Sequence, residues 1–201
     1  MYSAYRIRTL TAAAKNGPSV CEIGGGIGTV AYYANLLGIR HYTIIDLPAI
    51  LFMQGYWLSR ALPNASIRFY GDKSFEPSGI RLLPPSSFGR STFDLVYNQD
   101  SFPEMHREYS LRYLLKARSI TPLLLSINQE GENPHGATSK LSVVSDLIAE
   151  VGGYRKLYRF HDWTRPGYVE ELYETQPLTI PLAVNGVVWR LRAYWRQRLR
   201  Q

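Results

Sequence analysis

The sequence is poor in cysteine and has no long apolar run. Cys21 is the single cysteine among 201 residues, so no disulfide can form within the chain, and its setting between Val20 and Glu22 predicts a buried strand position. No stretch of about 18 apolar residues is present, and the residues after Met1 lack the apolar core of a signal peptide. These features predict a cytoplasmic protein without a membrane span. A hydrophobic content of 45% is sufficient for one domain with its own core.

Acidic residues are missing from the C-terminal end, which is strongly basic. The formal charge is +7, but five arginines lie in the last twelve residues, and the rest of the chain carries only +2. This charge is too small for a basic recognition face, so no nucleic-acid partner is expected. Apolar residues at helical spacing predict a basic amphipathic helix over 184–201, which would dock on its own domain, on a second subunit of a homodimer or on an anionic membrane surface. These residues are Val184, Val188, Leu191, Trp195 and Leu199.

Strand and helix patterns alternate along residues 1–180, which we interpret as the main domain. Apolar, β-branched runs predict seven strands, at 19–23, 42–46, 67–70, 93–98, 123–127, 156–160 and 168–173. Helices are predicted at 4–15, 29–37, 48–61, 108–118 and 141–151, and loops at 74–91 and 131–139. The alternation predicts an α/β, Rossmann-like, doubly wound fold with a mainly parallel seven-stranded sheet and an antiparallel last strand. Ligands of such folds bind at the carboxyl ends of the strands, near the topological switch point.

A glycine-rich loop follows the first predicted strand, with the sequence Glu22-Ile23-Gly24-Gly25-Gly26-Ile27-Gly28. Glycines allow a ligand to approach the backbone beside the positive N-terminus of the next helix. Dinucleotide-binding folds prefer a G-x-G-x-x-G spacing, but Thr29 occupies the third position here. Glu22 would repel a pyrophosphate and attract the ammonium group of an amino-acid ligand. The loop therefore favours S-adenosylmethionine over a nicotinamide or flavin dinucleotide as the cofactor.

Two acids follow the next two predicted strands. Asp46 lies 22 residues past Gly24, where the acid of nucleotide-binding folds accepts hydrogen bonds from ribose hydroxyls. Asp72 follows the predicted third strand, where its carboxylate could accept a hydrogen bond from an adenine amino group. Each acid alone has an alternative interpretation as a turn or strand-end residue. Their joint placement favours a nucleoside-containing ligand.

These segments carry a family resemblance. Residues 22–28, 44–48, 71–72 and 94–98 resemble the successive motifs of class I S-adenosylmethionine-dependent methyltransferases, and the resemblance covers roughly residues 19–175. More narrowly, residues 42–48, 98–105 and 126–130 are similar to sugar O-methyltransferases of bacterial polysaccharide and natural-product pathways. The resemblance implies that the methionine end of the cofactor lies near Glu22, Gly24, Gly25 and Gly26, the ribose on Asp46, the adenine near Leu47 and Asp72, and the sulfonium near Asn98.

The residues after the fourth predicted strand bear on the methyl acceptor. Enzymes that methylate planar amines commonly carry an Asn/Asp-Pro-Pro-aromatic run there, whereas this chain has Asn98-Gln99-Asp100-Ser101-Phe102. This departure argues against a nucleobase or a protein amide. The resemblance to sugar O-methyltransferases implies a small-molecule acceptor, namely a hydroxyl of a sugar or of a glycosylated metabolite. His135, in the predicted loop 131–139, is a candidate lining residue of the acceptor site.

A hydroxyl acceptor benefits from a general base, and His106 and Glu104 are the candidates, with Asp100 and Glu130 behind them. His106 has an alternative interpretation as the cap of the following helix. The same four side chains could bind Mg²⁺, as in some sugar methyltransferases, but none of their spacings is diagnostic. No metal site is therefore assigned.

Other functions fit parts of the same pattern. Only about 18 residues precede the first predicted strand, which leaves little helical cover for an acceptor pocket and is compatible with a noncatalytic cofactor-binding, nucleotide-binding or regulatory domain. A methyltransferase acting on a different small molecule and an NAD-dependent oxidoreductase are the remaining alternatives.

Overall fold

The computed structural model describes residues 1–72, 78–130 and 142–175. Its helices are α1 Tyr2–Leu10, α2 Thr29–Leu36, α3 Pro48–Ala61, α4 Ser101–Glu104, α5 Arg107–Ile120 and α6 Val144–Val151. Its strands are β1 Ser19–Ile23, β2 His41–Ile45, β3 Ile67–Phe69, β4 Gly79–Leu83, β5 Leu95–Gln99, β6 Leu123–Gln129, β7 Tyr154–His161 and β8 Tyr168–Thr175. The predicted helix 184–201 and His135 lie outside the described residues.

The strands of these ranges form one sheet in the order β3-β4-β2-β1-β5-β6-β8-β7. Strands β1 to β6 pair in parallel, whereas β8 runs antiparallel to both β6 and β7. The predicted α/β, doubly wound, mainly parallel architecture with an antiparallel last strand is confirmed. The sheet has eight strands in the described part of the chain, one more than predicted.

The additional strand is β4, and the prediction of a loop over 74–91 is wrong at this point. Gly79–Leu83 pairs in parallel with β2 and with β3, so it lies inside the sheet, and its Ile80 and Leu82 are fully buried. A 3-10 turn over Pro85–Ser87 follows it. The strand is only five residues long, begins at a glycine and has prolines on both sides in the sequence. Glycine and proline are typical of loops, which is why the sequence predicts a loop here. Parallel pairing with a strand on each edge stabilises the segment as a strand instead.

The first helix differs from the predicted span of 4–15, because α1 begins at Tyr2 and ends at Leu10. Its start is held by tertiary contacts, since the Tyr2 hydroxyl donates to Glu170 Oε2 at 2.8 Å and Arg6 Nε donates to Glu170 Oε1 at 2.8 Å. Its end coincides with Thr11, whose hydroxyl bonds back to the Ile7 carbonyl oxygen at 2.8 Å. Such a back bond competes with continued helix.

Helices cover both faces of the sheet. One core contains α1, α2 and α3, with Ile7, Ala34 and Leu58 packed against strand residues such as Tyr42 and Ile44. The other core contains α5 and α6 and includes the side chains of Cys21, Ile23, Val96, Leu114, Leu147 and Ile148. Cys21 is fully buried in β1, as its position predicted. Burial on both faces explains why the central strands are nearly uninterrupted apolar runs.

Among residues 1–72, 78–130 and 142–175, no helix is both long enough and apolar enough to cross a membrane.

Candidate functional site

The topological switch point lies between the neighbouring strands β1 and β5. From β1 the chain continues to β2 on one side of the sheet, and from β5 it continues to β6 on the other side. The segments that follow β1, β2 and β5 all emerge at the same carboxyl edge of the sheet, where open α/β sheets bind ligands. Asp100, directly after β5, has a φ of 65° and is the one non-glycine residue with a positive φ in the described ranges. Such strained backbone is concentrated at functional sites.

Two glycines of the loop after β1 have different roles. A Cβ placed on Gly24 would lie 2.3 Å from Ser101 Cβ, so the loop packs directly against the start of α4. The Gly24 N–H also donates to the Ile45 carbonyl oxygen at 2.9 Å, which ties the loop to the end of β2. A Cβ placed on Gly26, by contrast, would meet nothing within 4 Å. Gly24 is needed for packing, whereas Gly26 leaves its backbone open to a ligand.

Asp46 lies at the end of β2 and is held by a small hydrogen-bond network. Its Oδ1 accepts from the Leu47 N–H at 2.8 Å and its Oδ2 accepts from Gln54 Nε2 at 2.8 Å. Gln54 Nε2 also donates to the Gly26 carbonyl oxygen at 2.8 Å, so it joins Asp46 to the glycine loop. Burial raises the pKa of Asp46, and the hydrogen bonds from Leu47 and Gln54 act in the opposite direction.

Gln54 was not identified from the sequence. Its side chain is fully buried on α3, and its Oε1 has no hydrogen-bond partner within the described part of the chain. A glutamine on the inner face of an otherwise apolar helix was the available signal, because buried amides usually have partners that they position.

Glu22 lies beneath the glycine loop with only 2% of its surface exposed. The Tyr42 hydroxyl, which the sequence analysis also missed, donates to Glu22 Oε2 at 3.0 Å. Burial raises the pKa of Glu22 to about 7, the Tyr42 bond lowers it, and the nearby charge of Asp46 raises it. A Cβ placed on Gly25 would lie 3.1 Å from Glu22 Oε2, so this carboxyl directly underlies the loop. A carboxyl that titrates near neutrality is typical of a functional site.

Asn98 is fully buried at the end of β5 and links three strands. Its Nδ2 donates to the Ile23 carbonyl oxygen at 2.9 Å, and its Oδ1 accepts from Asn128 Nδ2 at 3.1 Å. Asn98 Nδ2 also contacts the Ser101 hydroxyl. The side chain therefore fixes the ends of β1, β5 and β6 relative to one another at the switch point.

Asp72 and Asp46 follow strands that are not neighbours in the sheet. Asp72 follows β3, which is the edge strand, and β4 lies between β3 and β2. Strand β4 is the one beside Asp46. The Asp46 N–H donates to the carbonyl oxygen of Leu83, the last residue of β4, at 3.2 Å. Leu47 is next to Asp46 and is 62% exposed, as a residue available to a ligand must be.

The two candidate bases, Glu104 and His106, are exposed on the segment that follows β5. His106 occupies the N-cap position of α5 but makes no side-chain capping hydrogen bond, and its ring lies 6.1 Å from the ring of Tyr109. Between them, the Met105 side chain reaches the glycine loop, with its Cε 3.9 Å from a Cβ placed on Gly24. The segment therefore lies against the loop.

Asp100 and Glu130 are each paired with an arginine. Arg165 Nη1 contacts Asp100 Oδ2 at 2.8 Å, and Arg159 contacts both carboxylate oxygens of Glu130. The Arg159 bonds lower the pKa of Glu130. Among residues 1–72, 78–130 and 142–175, no group of three or more His, Cys, Asp or Glu side chains is arranged to hold a metal ion.

Comparison with known proteins identifies the fold. No protein-family model matches the chain, and no curated protein matches it by sequence. The solved structure of the mitomycin 7-O-methyltransferase MmcR is similar over 87% of this chain and 54% of that chain, with a TM-score of 0.59 and 16% identity. The magnesium protoporphyrin IX methyltransferase of Synechocystis PCC 6803, with bound SAM, is similar over 87% of this chain and 78% of that chain, with a TM-score of 0.58 and 14% identity.

The pyocyanin biosynthetic protein PhzM is similar over 86% of this chain and 55% of that chain, with a TM-score of 0.58 and 13% identity. The chain therefore spans about half the length of MmcR and of PhzM. Its fold is the Rossmann-like fold of S-adenosylmethionine-dependent methyltransferases.

Proposed function

We propose that this chain binds S-adenosylmethionine at the loop after β1 and transfers its methyl group to a hydroxyl of a sugar or of a glycosylated metabolite. The observation that carries the proposal is the arrangement at the switch point, where Gln54 joins the open backbone of Gly26 to the carboxylate of Asp46. This arrangement occurs in a fold that the chain shares with solved methyltransferase structures.

The charges of the site fit this cofactor. S-adenosylmethionine carries an ammonium and a sulfonium and has no phosphate, and the loop is flanked by the carboxyls of Glu22 and Asp46. Two carboxylates attract a cation and repel a pyrophosphate, which disfavours a dinucleotide.

Each part of the cofactor has a proposed partner. Asp46 accepts hydrogen bonds from the ribose hydroxyls, and Glu22 interacts with the ammonium group beneath Gly24 and Gly25. Leu47 packs against the adenine. Because β4 separates β3 from β2, we assign the polar contact to the adenine to the residues that follow Leu83 rather than to Asp72.

The methyl transfer step places few demands on the protein. The bound cofactor supplies a methyl group that its sulfonium already activates. The chain contributes by holding the acceptor hydroxyl in line and close to this methyl group, and such positioning supplies much of the rate in displacements of this kind. Glu104 and His106 remain the proposed acceptors of the hydroxyl proton, and both are accessible at the carboxyl edge near the glycine loop.

Calorimetric titration with S-adenosylmethionine tests the cofactor site. We expect micromolar-range binding to the wild-type chain and a loss of affinity of about 100-fold or more in Asp46→Ala, because two charge-assisted hydrogen bonds are removed. Asp94→Ala is the matched control. Asp94 Oδ2 accepts from the Ser19 N–H at 2.7 Å, at the opposite end of β1. Unchanged affinity in Asp46→Ala would reject the assigned site, and protection against heat by NAD but not by S-adenosylmethionine would favour an oxidoreductase.

A noncatalytic cofactor-binding domain is the second candidate. The exposure of both Glu104 and His106 favours it, because a working general base is usually held in a pocket that tunes its pKa. Detectable transfer of a labelled methyl group to any acceptor would exclude this candidate.

A further inference from the structure

Three segments that are distant in sequence meet beside the loop after β5. The start of α1 is one, since the Ser3 hydroxyl donates to Gln99 Oε1 at 2.7 Å. The turn between β7 and β8 is another, since Arg165 Nη1 donates to Asp100 Oδ2 at 2.8 Å. We call the surface formed by Tyr2, Asp100, Trp163 and Arg165 the rim. It lies on the β8 side of β5, whereas the glycine loop lies on the β1 side.

Asp100 connects the rim to the glycine loop. The next residue is Ser101, whose Cβ would be 2.3 Å from a Cβ on Gly24, so Asp100 lies directly beside the proposed cofactor site. Its Oδ2 accepts from Arg165 Nη1 at 2.8 Å and from Gln99 Nε2 at 3.3 Å, and 40% of the side chain is exposed. Because Oδ1 is shielded from solvent, a ligand hydroxyl would donate to Oδ2, and a carboxylate oxygen can accept more than one hydrogen bond.

Arg165 is held in one orientation and fixes the carboxylate in turn. Its guanidinium carbon lies 3.8 Å from the centre of the Tyr168 ring, and its Nε lies 3.6 Å from Asp162 Oδ2. Asp162 is itself buried and accepts a hydrogen bond from the Thr164 N–H at 2.8 Å. The turn is therefore ordered before any ligand arrives, which reduces the entropy lost on binding.

Trp163 presents an indole ring to solvent in the same turn, with 79% of its surface exposed. The ring meets that of Tyr2 edge to face, with centroids 6.2 Å apart. Tyr2 is anchored through its hydroxyl to the buried carboxylate of Glu170. The face of an aromatic ring carries partial negative charge, so it attracts the weakly positive C–H groups of a sugar ring.

We propose that the rim is a carbohydrate-binding site, in which Trp163 packs against the C–H face of a sugar ring and Asp100 Oδ2 accepts a hydrogen bond from one of its hydroxyls. Arg165 is a positioning residue that holds Asp100. The inference rests on the proposed function, because the contact between Ser101 and the glycine loop is what brings a hydroxyl bound at Asp100 close to the methyl donor.

Saturation-transfer difference NMR on the full chain, loaded with S-adenosylhomocysteine, tests the site. The probes are methyl α-D-glucopyranoside, methyl α-D-mannopyranoside and methyl β-D-galactopyranoside. We expect saturation transfer to ring C–H protons of at least one probe. Trp163→Ala should reduce this signal at least about fivefold, and Asp100→Ala should weaken binding of the same probe by a similar factor, equivalent to the loss of one hydrogen bond to a charged group.

Matched variants separate a binding role from a structural one. Phe52→Ala removes an aromatic ring of similar exposure, 72%, from α3, and it should leave the glycoside signal unchanged. Arg165→Met should weaken glycoside binding and Arg165→Lys should restore it in part, while both keep the wild-type affinity for S-adenosylhomocysteine. Rescue by lysine would not be expected if Arg165 only stabilised the fold.

The outcomes distinguish failure of the rim from failure of the cofactor site. Equal signals in the wild type and in Trp163→Ala overturn the proposal. Absence of transfer to all three glycosides, in a chain that binds S-adenosylhomocysteine, overturns the rim as a carbohydrate site and leaves the proposed cofactor intact. Absence of S-adenosylhomocysteine binding by calorimetry refutes the proposed function, whatever the glycosides show.

Discussion

The cofactor side of the carboxyl edge and the rim are built in opposite ways. On the cofactor side, the bonds of Glu22 to Tyr42 and of Asp46 to Gln54 join residues 20 and 8 apart in the sequence. Of these residues, Glu22, Tyr42 and Gln54 are buried. On the rim, the partly exposed pair of Asp100 and Arg165 joins residues 65 apart, and Tyr2 bonds to the buried carboxylate of Glu170 over a separation of 168 residues.

The two regions should therefore differ in how well they tolerate substitutions. Buried polar groups lose much if one partner is removed, so the cofactor side tolerates few changes. Exposed ion pairs contribute little to stability, so the rim can change its side chains at small cost to the fold. We therefore expect substitutions on the cofactor side to change cofactor affinity strongly and substitutions on the rim to leave it unchanged.

After that of Asp46→Ala, the strongest effect on cofactor binding is expected for Gly26→Ala. The added methyl group meets no protein atom within 4 Å, so it would enter the space open to a ligand and should weaken S-adenosylmethionine binding by about 30-fold or more. The φ of +56° should cost about 1 kcal/mol of stability. Calorimetry and thermal unfolding measure the two effects.

Gly38→Ala is the control for this prediction. Gly38 also has a positive φ, of +88°, and open space around it, but it follows α2 at the other end of the helix. It should show a similar loss of stability with unchanged affinity. Equal loss of affinity in both variants would contradict a ligand-contacting role of Gly26.

A second effect is the pH dependence of cofactor affinity. Because burial raises the pKa of Glu22 to about 7, this carboxyl is increasingly protonated below that pH, and a protonated carboxyl no longer attracts an ammonium group. The affinity for S-adenosylmethionine should therefore fall by up to about tenfold per pH unit below 7. Glu22→Gln should bind weakly and lose most of this dependence in titrations between pH 5.5 and about 8.

The same carboxyl affects folding in the opposite sense. The pKa of Glu22 is raised from 4.5 to about 7 on folding, so the folded chain binds the proton more tightly than the unfolded chain does. The free energy of unfolding is therefore highest at low pH and falls as the pH rises from about 4.5 to about 7. At pH 8, Glu22→Gln should therefore stabilise the ligand-free chain by about 1 to 3 kcal/mol. A destabilised variant at this pH would argue against a buried, poorly solvated carboxylate.

A smaller effect is expected at Gln54. Gln54→Leu removes the two hydrogen bonds that Nε2 donates to Asp46 and to Gly26 without removing either ligand-binding group. It should weaken S-adenosylmethionine binding about 3- to 10-fold, because Asp46 loses one positioning bond. Ser59→Leu is a suitable control, since Ser59 is exposed on the same helix. Wild-type affinity in Gln54→Leu would show that Asp46 needs no support from α3.

The smallest effect is expected for Arg165→Met on the stability of the fold. The side chains of Arg165 and Asp100 are 31% and 40% exposed, so their ion pair is well solvated and should contribute less than about 1 kcal/mol. Chemical denaturation measures this quantity. A loss of several kcal/mol would show that the β7–β8 turn belongs to the structural core and would remove the contrast between the two regions.

The same contrast explains how much the sequence could predict. The glycine loop and Asp46 form a local motif with a fixed order of strand, loop and helix, so their positions were predictable. Gln54 and Tyr42 approach from neighbouring elements, and their polar atoms inside apolar segments were a usable signal. The pairing of Asp100 with Arg165 depends on how β8 is placed beside β6, which no local pattern encodes.

The interpretation of Asp72 depends on β4, the strand that was not predicted from the sequence. The sequence indicated no strand between Ile67–Phe69 and β5, because the short apolar run at Gly79–Leu83 lies between prolines. Once β4 takes the place beside β2, the residues at the predicted adenine position change with it. The fold class is predicted correctly without this strand, but we propose a different polar contact to the adenine because of it.

A crystal structure of the chain with S-adenosylhomocysteine tests the central claim most directly. We expect ribose hydroxyls within hydrogen-bond distance of the Asp46 carboxylate, the amino group near Glu22, and the sulfur directed toward the end of β5, near Asn98. A ligand whose ribose avoids Asp46, or whose sulfur points away from the end of β5, would contradict it.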